Sequence, residues 1–138
     1  MLKILLFIAL LLHPISLYAF QNEQDGYNGI TWGTDISTLQ GMRYQASKSK
    51  GKDVKVYTRE QDILMFEHVG LSSIEYEFIR GKLTAITMKV KGLSTFVAFR
   101  DAVFNKFGRG REFMKNTERY YWDGNFTRIT LISNFDLS

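Results

Sequence analysis

Ile74-Glu75-Tyr76-Glu77-Phe78, followed by Arg80-Gly81-Lys82 and then by Ile86-Thr87-Met88-Lys89-Val90, is the stretch that decides the fold. Apolar and polar residues alternate on both sides of a glycine, and a period of two marks a half-buried antiparallel pair. Placing Ile74, Tyr76 and Phe78 on the same face as Ile86, Met88 and Val90 requires an even-sum register, such as Tyr76 opposite Ile86 and Ile74 opposite Met88. That register predicts a three-residue turn in which Gly81 supplies the positive φ. The other face then carries Glu75 and Glu77 near Thr87 and Lys89.

Beyond this hairpin the apolar period changes from two to that of a helix. Phe96, Phe99, Val103 and Phe107 form one stripe, Ser94 stands in a capping position and Gly108 follows as a stop, which predicts a helix over about 94–107 that packs on the sheet. The chain then returns to alternation. Asp123-Gly124 is a two-residue turn signal, and closing Trp122 on Asn125 puts Tyr120, Trp122, Ile129 and Leu131 inward. Lys115, Arg119, Tyr121, Phe126 and Arg128 face out, with Arg119 and Arg128 as direct cross-strand neighbours. Like charges so placed either splay into water or hold an anionic partner between them.

On the amino side, Gln21 to Asn28 read as a loose polar arm and Gly29 to Gly33 as a short strand. Thr34 or Asp35 caps a short helix near 35–40 that carries Ile36 and Leu39. The run containing Lys48, Lys50, Lys52 and Lys55 reads as a solvated mobile loop. Val54 to Thr58 and Ile63 to Phe66 are strand candidates on either side of a charged turn. The expected architecture is α+β: a twisted antiparallel sheet of about six or seven short strands with the long helix on one face.

Residues 1–19 read as an export signal. Lys3 precedes an apolar run from Ile4 to Leu12, Pro14 breaks the helix, and Ala19 offers a cleavage point. The run is far short of the ~20 residues that cross a bilayer, so no stable transmembrane segment is expected after cleavage. Residues 20–138 then form a single α+β domain. The chain has no cysteine, which excludes a lipid-modified bacterial lipoprotein and disulfides and favours a bacterial periplasm, or secretion, over a eukaryotic route. Losing Lys3 takes the net charge from +4 to about +3. That modest charge, with no RRM or helix-turn-helix pattern, argues against a nucleic-acid partner.

The pattern Gly29-Ile30-Thr31-Trp32-Gly33-Thr34, Tyr76-Glu77-Phe78 with Gly81-Lys82-Leu83, Phe107-Gly108 and Tyr121-Trp122 resembles a group of small exported bacterial proteins. These are known chiefly as domains of unknown function, so the resemblance implies an architecture and carries no activity with it.

Catalytic chemistry finds few carriers. His68 is the one histidine after the leader, and a zinc site of several imidazoles or thiolates cannot be assembled. No cofactor or metal is expected. The Gly108-Arg109-Gly110-Arg111 run lacks Walker spacing and follows a helix, where its arginines suit the negative end of the dipole. Glu75 and Glu77 share a strand face with carboxyls about 6 to 7 Å apart, which defines the alternative of a small periplasmic hydrolase, with His68 as its other candidate. The principal expectation is an exported, non-catalytic binding module of the bacterial envelope that docks a protein or an anionic envelope component. Its candidate binding residues are Arg119, Tyr121, Phe126 and Arg128, joined by Arg109 and Arg111 if those side chains converge on the same patch.

Overall fold

The computed structural model describes residues 20–133; the expected leader lies outside them. The fold is broadly α+β and mostly β. In place of one sheet of six or seven strands, the described residues form eleven strands in four antiparallel sheets, with one α-helix. Many strands are two residues long because glycines and polar turns interrupt the alternation.

β1 (Gly26–Tyr27) pairs with β2 (Ile30–Thr31) as an isolated ribbon. The largest sheet orders β3 (Met42–Tyr44), β4 (Val54–Arg59), β7 (Ser73–Ile79) and β8 (Lys82–Lys89) side by side. A second ribbon joins β5 (Met65–Phe66) to β6 (Val69–Gly70), so only the end of the Ile63–Phe66 segment pairs as a strand. The last sheet places β10 (Arg119–Asp123) between β9 (Arg111–Glu112) and β11 (Arg128–Ile132).

In the β7–β8 hairpin Ile74 faces Met88 and Tyr76 faces Ile86, a register of the even-sum kind that the alternation requires. The turn differs from the three-residue expectation. It has two residues, Arg80 at φ +50° and Gly81 at φ +79°, the positive sense that a two-residue hairpin needs. One extra residue in β8 reconciles this tight turn with the apolar register: Glu77 faces Ala85 while Phe78 faces Leu83, leaving Thr84 as a bulge whose hydroxyl donates to the Glu77 carbonyl at 3.2 Å. Tyr76, Phe78, Ile74 and Leu83 are the largest fully buried side chains. The Tyr76 hydroxyl donates to Asp62 at 2.7 Å, and burial together with that carboxylate pushes the phenol well above its ordinary pKa.

α1 (Leu93–Phe107) starts one residue earlier than expected. Gly92, at φ +86°, is its N-cap and makes no side-chain capping bond, so Ser94 lies inside the helix and does not cap it; Gly108 ends it. Phe96, Phe99, Val103 and Phe107 are buried. The Phe66 ring meets Phe99 at 5.4 Å, and Phe104 meets Tyr120 at 4.9 Å and Trp122 at 5.9 Å. The helix thus bridges the β5–β6 ribbon and the last sheet within one buried cluster that also holds the β7–β8 side chains.

The amino arm is fastened, in contrast to the loose segment expected from its polarity. Phe20 packs edge-on against Phe107 at 5.8 Å, and the Gln21 and Asn22 amides donate to the Asn105 and Lys106 carbonyls. These are carbonyls that the end of a helix leaves without partners. The Glu23 carboxylate accepts the backbone N–H groups of Asn125, Phe126 and Thr127 at 2.8–3.0 Å. Burial opposes the ionised form, but these three donors outweigh it and hold the Glu23 pKa below its ordinary value.

The lysine-rich segment is likewise ordered. Ala46–Lys48 forms a 3₁₀ turn, Lys50 N–H donates to the Val54 carbonyl, Lys48 pairs with Glu75, and Lys55 belongs to β4. A second 3₁₀ turn, Ile36–Thr38, is capped by Asp35, which accepts from Ser37 N–H at 2.9 Å.

Asp35 supplies a pH prediction. The Ser37 N–H, the Ser37 hydroxyl and Lys82 depress its pKa from 3.8 to about 2. Its contribution is fully present above the unfolded pKa and is lost as pH falls through the folded one. Between pH 4 and about 2 the stability of Asp35→Asn should therefore fall less steeply than that of wild type, as read by urea unfolding at each pH. Parallel curves would show that the cap does not hold the charge.

Candidate functional site

The final hairpin positions the site. Tyr120 faces Leu131 and Trp122 faces Ile129, burying Tyr120, Trp122 and Leu131 with Ile129 packed against them. The expected two-residue turn at Asp123-Gly124 does not form. Residues 124–127 make a wider loop in which Gly124 N–H bonds to the Thr127 carbonyl, and Glu23 occupies the concave side of its backbone. Trp122 consequently faces Ile129 rather than Asn125. The strands slide by four residues, an even number, so each side chain keeps its expected face while every cross-strand neighbour changes.

Arg119 and Arg128 are therefore not neighbours. Arg119 faces Ile132, and Arg128 faces Asp123, whose carboxylate accepts from its Nε at 2.6 Å. Four residues along β10 separate the two positions, roughly 13 Å at strand rise. The exposed arginine charge is divided between the two ends of the sheet, and at one end it is already neutralised.

The unneutralised end is richer than the sequence suggested. Tyr121 faces Arg111 on β9 and Thr130 on β11. Phe113 continues β9, donating its N–H to the Arg119 carbonyl at 2.8 Å and setting its ring edge-on to Tyr121 at 6.4 Å. Phe113 is 70% exposed and Met114 62%. Arg109, Arg111, Lys115 and Arg119 are exposed and form no ion pair among the described residues. Nearby carboxylates are engaged elsewhere: Glu112 accepts from Asn116 N–H, and Glu118 pairs with Arg100 at 2.9 Å.

Of the six candidate residues, the structure gathers Arg111, Arg119 and Tyr121 on the outer face of this sheet. Phe126 sits exposed in the loop at the far end beside the Arg128–Asp123 pair, and Arg109 lies between α1 and β9. Phe113, Met114 and Ile132 were missed. Ile132 extends the outward alternation of Arg128 and Thr130, a signal present in the sequence; Phe113 has none beyond its spacing from Arg111.

The carboxylate alternative meets a different environment. Glu75 is buried, and its Oε1 accepts from Lys48 and from Lys89, the latter at 3.0 Å. Burial would raise its pKa, but the two ammonium groups outweigh it and hold the carboxyl below its ordinary value. A general acid needs the opposite shift. His68 is exposed in the β5–β6 turn, beside a hollow of about 310 Å³ that Glu67, Asn105 and Lys106 also line and Glu75 does not. Among the described residues, no three His, Asp or Glu side chains are grouped to hold a metal ion. No helix among them is long and apolar enough to cross a membrane.

Comparison with known proteins found no matching family model, no matching curated protein and no matching solved structure.

Proposed function

We propose that this chain is an exported, non-catalytic binding module of the bacterial envelope, and that it docks through the outer face of its last sheet. The export half rests on the leader pattern of Lys3, Ile4 to Leu12, Pro14 and Ala19, with the absence of cysteine pointing the same way. The resemblance of the Gly29–Thr34 motif to small exported bacterial proteins agrees with it. Mass spectrometry of the chain recovered from a bacterial periplasm should give an amino terminus at Phe20.

The observation that carries the docking half is the grouping of Arg111, Arg119, Tyr121 and Phe113 on one exposed sheet face, with both guanidinium groups unpaired among the described residues. Aromatic and arginine side chains dominate interface energetics where they cluster. The carboxylates beside this face are held within the chain, Glu112 by the Asn116 N–H and Glu118 by Arg100, which leaves this basic, aromatic surface for something else.

The test is binding of the purified protein to an isolated envelope fraction. Arg111→Glu/Arg119→Glu should weaken it by at least about tenfold, because two hot-spot cations become repulsive. Arg128→Ala, whose guanidinium is already held by Asp123, should change it by less than about twofold. Equal binding by wild type and the double variant would overturn the docking face.

A further inference from the structure

We infer that the partner of this face is a lipid surface bearing anionic head groups, entered by the Phe113-Met114 tip. The inference rests on the docking reading above and adds to it the chemistry of the partner.

Phe113 and Met114 are consecutive, apolar and both more than three-fifths exposed, at the turn that joins β9 to β10. Soluble surfaces scatter exposed apolar side chains singly, and a contiguous pair flanked by polar groups marks a contact site. The pair stands on a turn and lines neither the hollow beside Ile36 and Phe78 nor the one beside His68 and Lys106. A protruding apolar tip suits a medium that yields around it, and an acyl-chain boundary is such a medium.

The charges around the tip fit the same partner. Arg111 lies two residues before Phe113, Lys115 one after Met114, and Arg119 directly across from Phe113. No ion pair among the described residues neutralises these three, and the Glu112 and Glu118 carboxylates that could do so are committed within the chain. Long cationic side chains beside a buried apolar tip reach back to the head-group layer, where each adds attraction to anionic lipid. Tyr121, edge-on to Phe113, places an aromatic ring with a polar tip behind the insertion point, the side-chain type suited to a boundary between apolar and wet layers.

The experiment is co-sedimentation of the periplasmically processed protein with protein-free vesicles, either phosphatidylcholine alone or phosphatidylcholine mixed equally with phosphatidylglycerol. Binding is expected to the mixed vesicles, at least about tenfold weaker to the neutral ones, and to decline as salt rises. Phe113→Ser/Met114→Ser and Arg111→Gln/Arg119→Gln should each cut binding to mixed vesicles by about tenfold or more. All four positions are exposed, and unchanged circular dichroism and urea midpoints would confirm that the variants fold. A Phe113→Trp variant should show a blue-shifted emission on mixed vesicles.

If wild type ignores mixed vesicles yet binds the envelope fraction in an Arg111/Arg119-dependent way, the lipid assignment is overturned while the docking face stands. If it binds neither, both fall. Binding of the serine variant to mixed vesicles as tightly as wild type would overturn insertion at this tip.

Discussion

Deletion of Thr87 is expected to lower the unfolding free energy by about 2 kcal/mol or more, whereas deletion of Thr84, the bulged residue itself, should cost less than about 1 kcal/mol. The bulge is what lets a two-residue turn and an apolar face coexist. On the turn side of Thr84, Phe78 and Leu83 face each other across the core; beyond it, Tyr76 faces Ile86 and Ile74 faces Met88. With Thr84 removed, Phe78 still faces Leu83, and Ala85, Ile86 and Met88 still face Glu77, Tyr76 and Ile74, now in an unbroken ladder. With Thr87 removed, either the bulge stays and Met88 turns to the Glu75 side, or the bulge closes and Ile86 does. Thr84→Ala retains the count and gives up one hydroxyl bond at the surface, a loss of about 1 kcal/mol or less. Urea unfolding followed by tryptophan fluorescence compares these variants. Equal midpoints for the Thr84 and Thr87 deletions would show that the register of β8 is not set as described.

Trp122→Ala should cost about 3–5 kcal/mol, the range for truncating a large buried aromatic side chain. The indole is 4% exposed, meets Phe104 of the helix, and donates from Nε1 to the Gly108 carbonyl at 2.9 Å. It also lies flat against Gly110, where a Cβ would sit 2.7 Å from two ring carbons. One side chain therefore ties together the helix, its terminating glycine and the strand that carries Arg119 and Tyr121. The same urea titration measures the loss, and Trp122→Phe, which retains a ring but no donor, should fall between wild type and Trp122→Ala. A cost below about 1 kcal/mol would mean that the indole is not seated as described. Because Arg119 and Tyr121 occupy the opposite side of the strand that Trp122 anchors, the proposed envelope binding should weaken together with stability.

How much was legible follows from the range of each interaction. The alternation at Ile74, Tyr76 and Phe78 specified the inward face because period two depends only on near neighbours. Thr84 broke the turn expectation because a bulge restores the face while changing the count. In the last hairpin, alternation assigned Tyr120 and Trp122 to the core and Arg119 and Tyr121 to the surface, and those faces hold. The partners across the strand did not, because the loop is shaped by Glu23, a residue about a hundred positions away that no local pattern connects to it. Gln21 and Asn22 were unreadable for the same reason: they bond to helix-end carbonyls, and polar residues facing carbonyls have no periodicity to display. The helix stripe was plain, whereas its first residue was not, since Gly92 begins the helix through backbone shape alone.

The attachment of Gln21–Glu23 also sets an order of events for a chain synthesised amino end first. Residues 21–23 emerge long before their partners and cannot settle until residues 105–106 have arrived to offer helix-end carbonyls and residues 125–127 to offer their N–H groups. Closure across so long a span is entropically slow, and it comes after local hairpins and the helix have formed. Completion of this fold is therefore a late step, and the interval before it is when unfinished copies are most exposed to proteases and to one another.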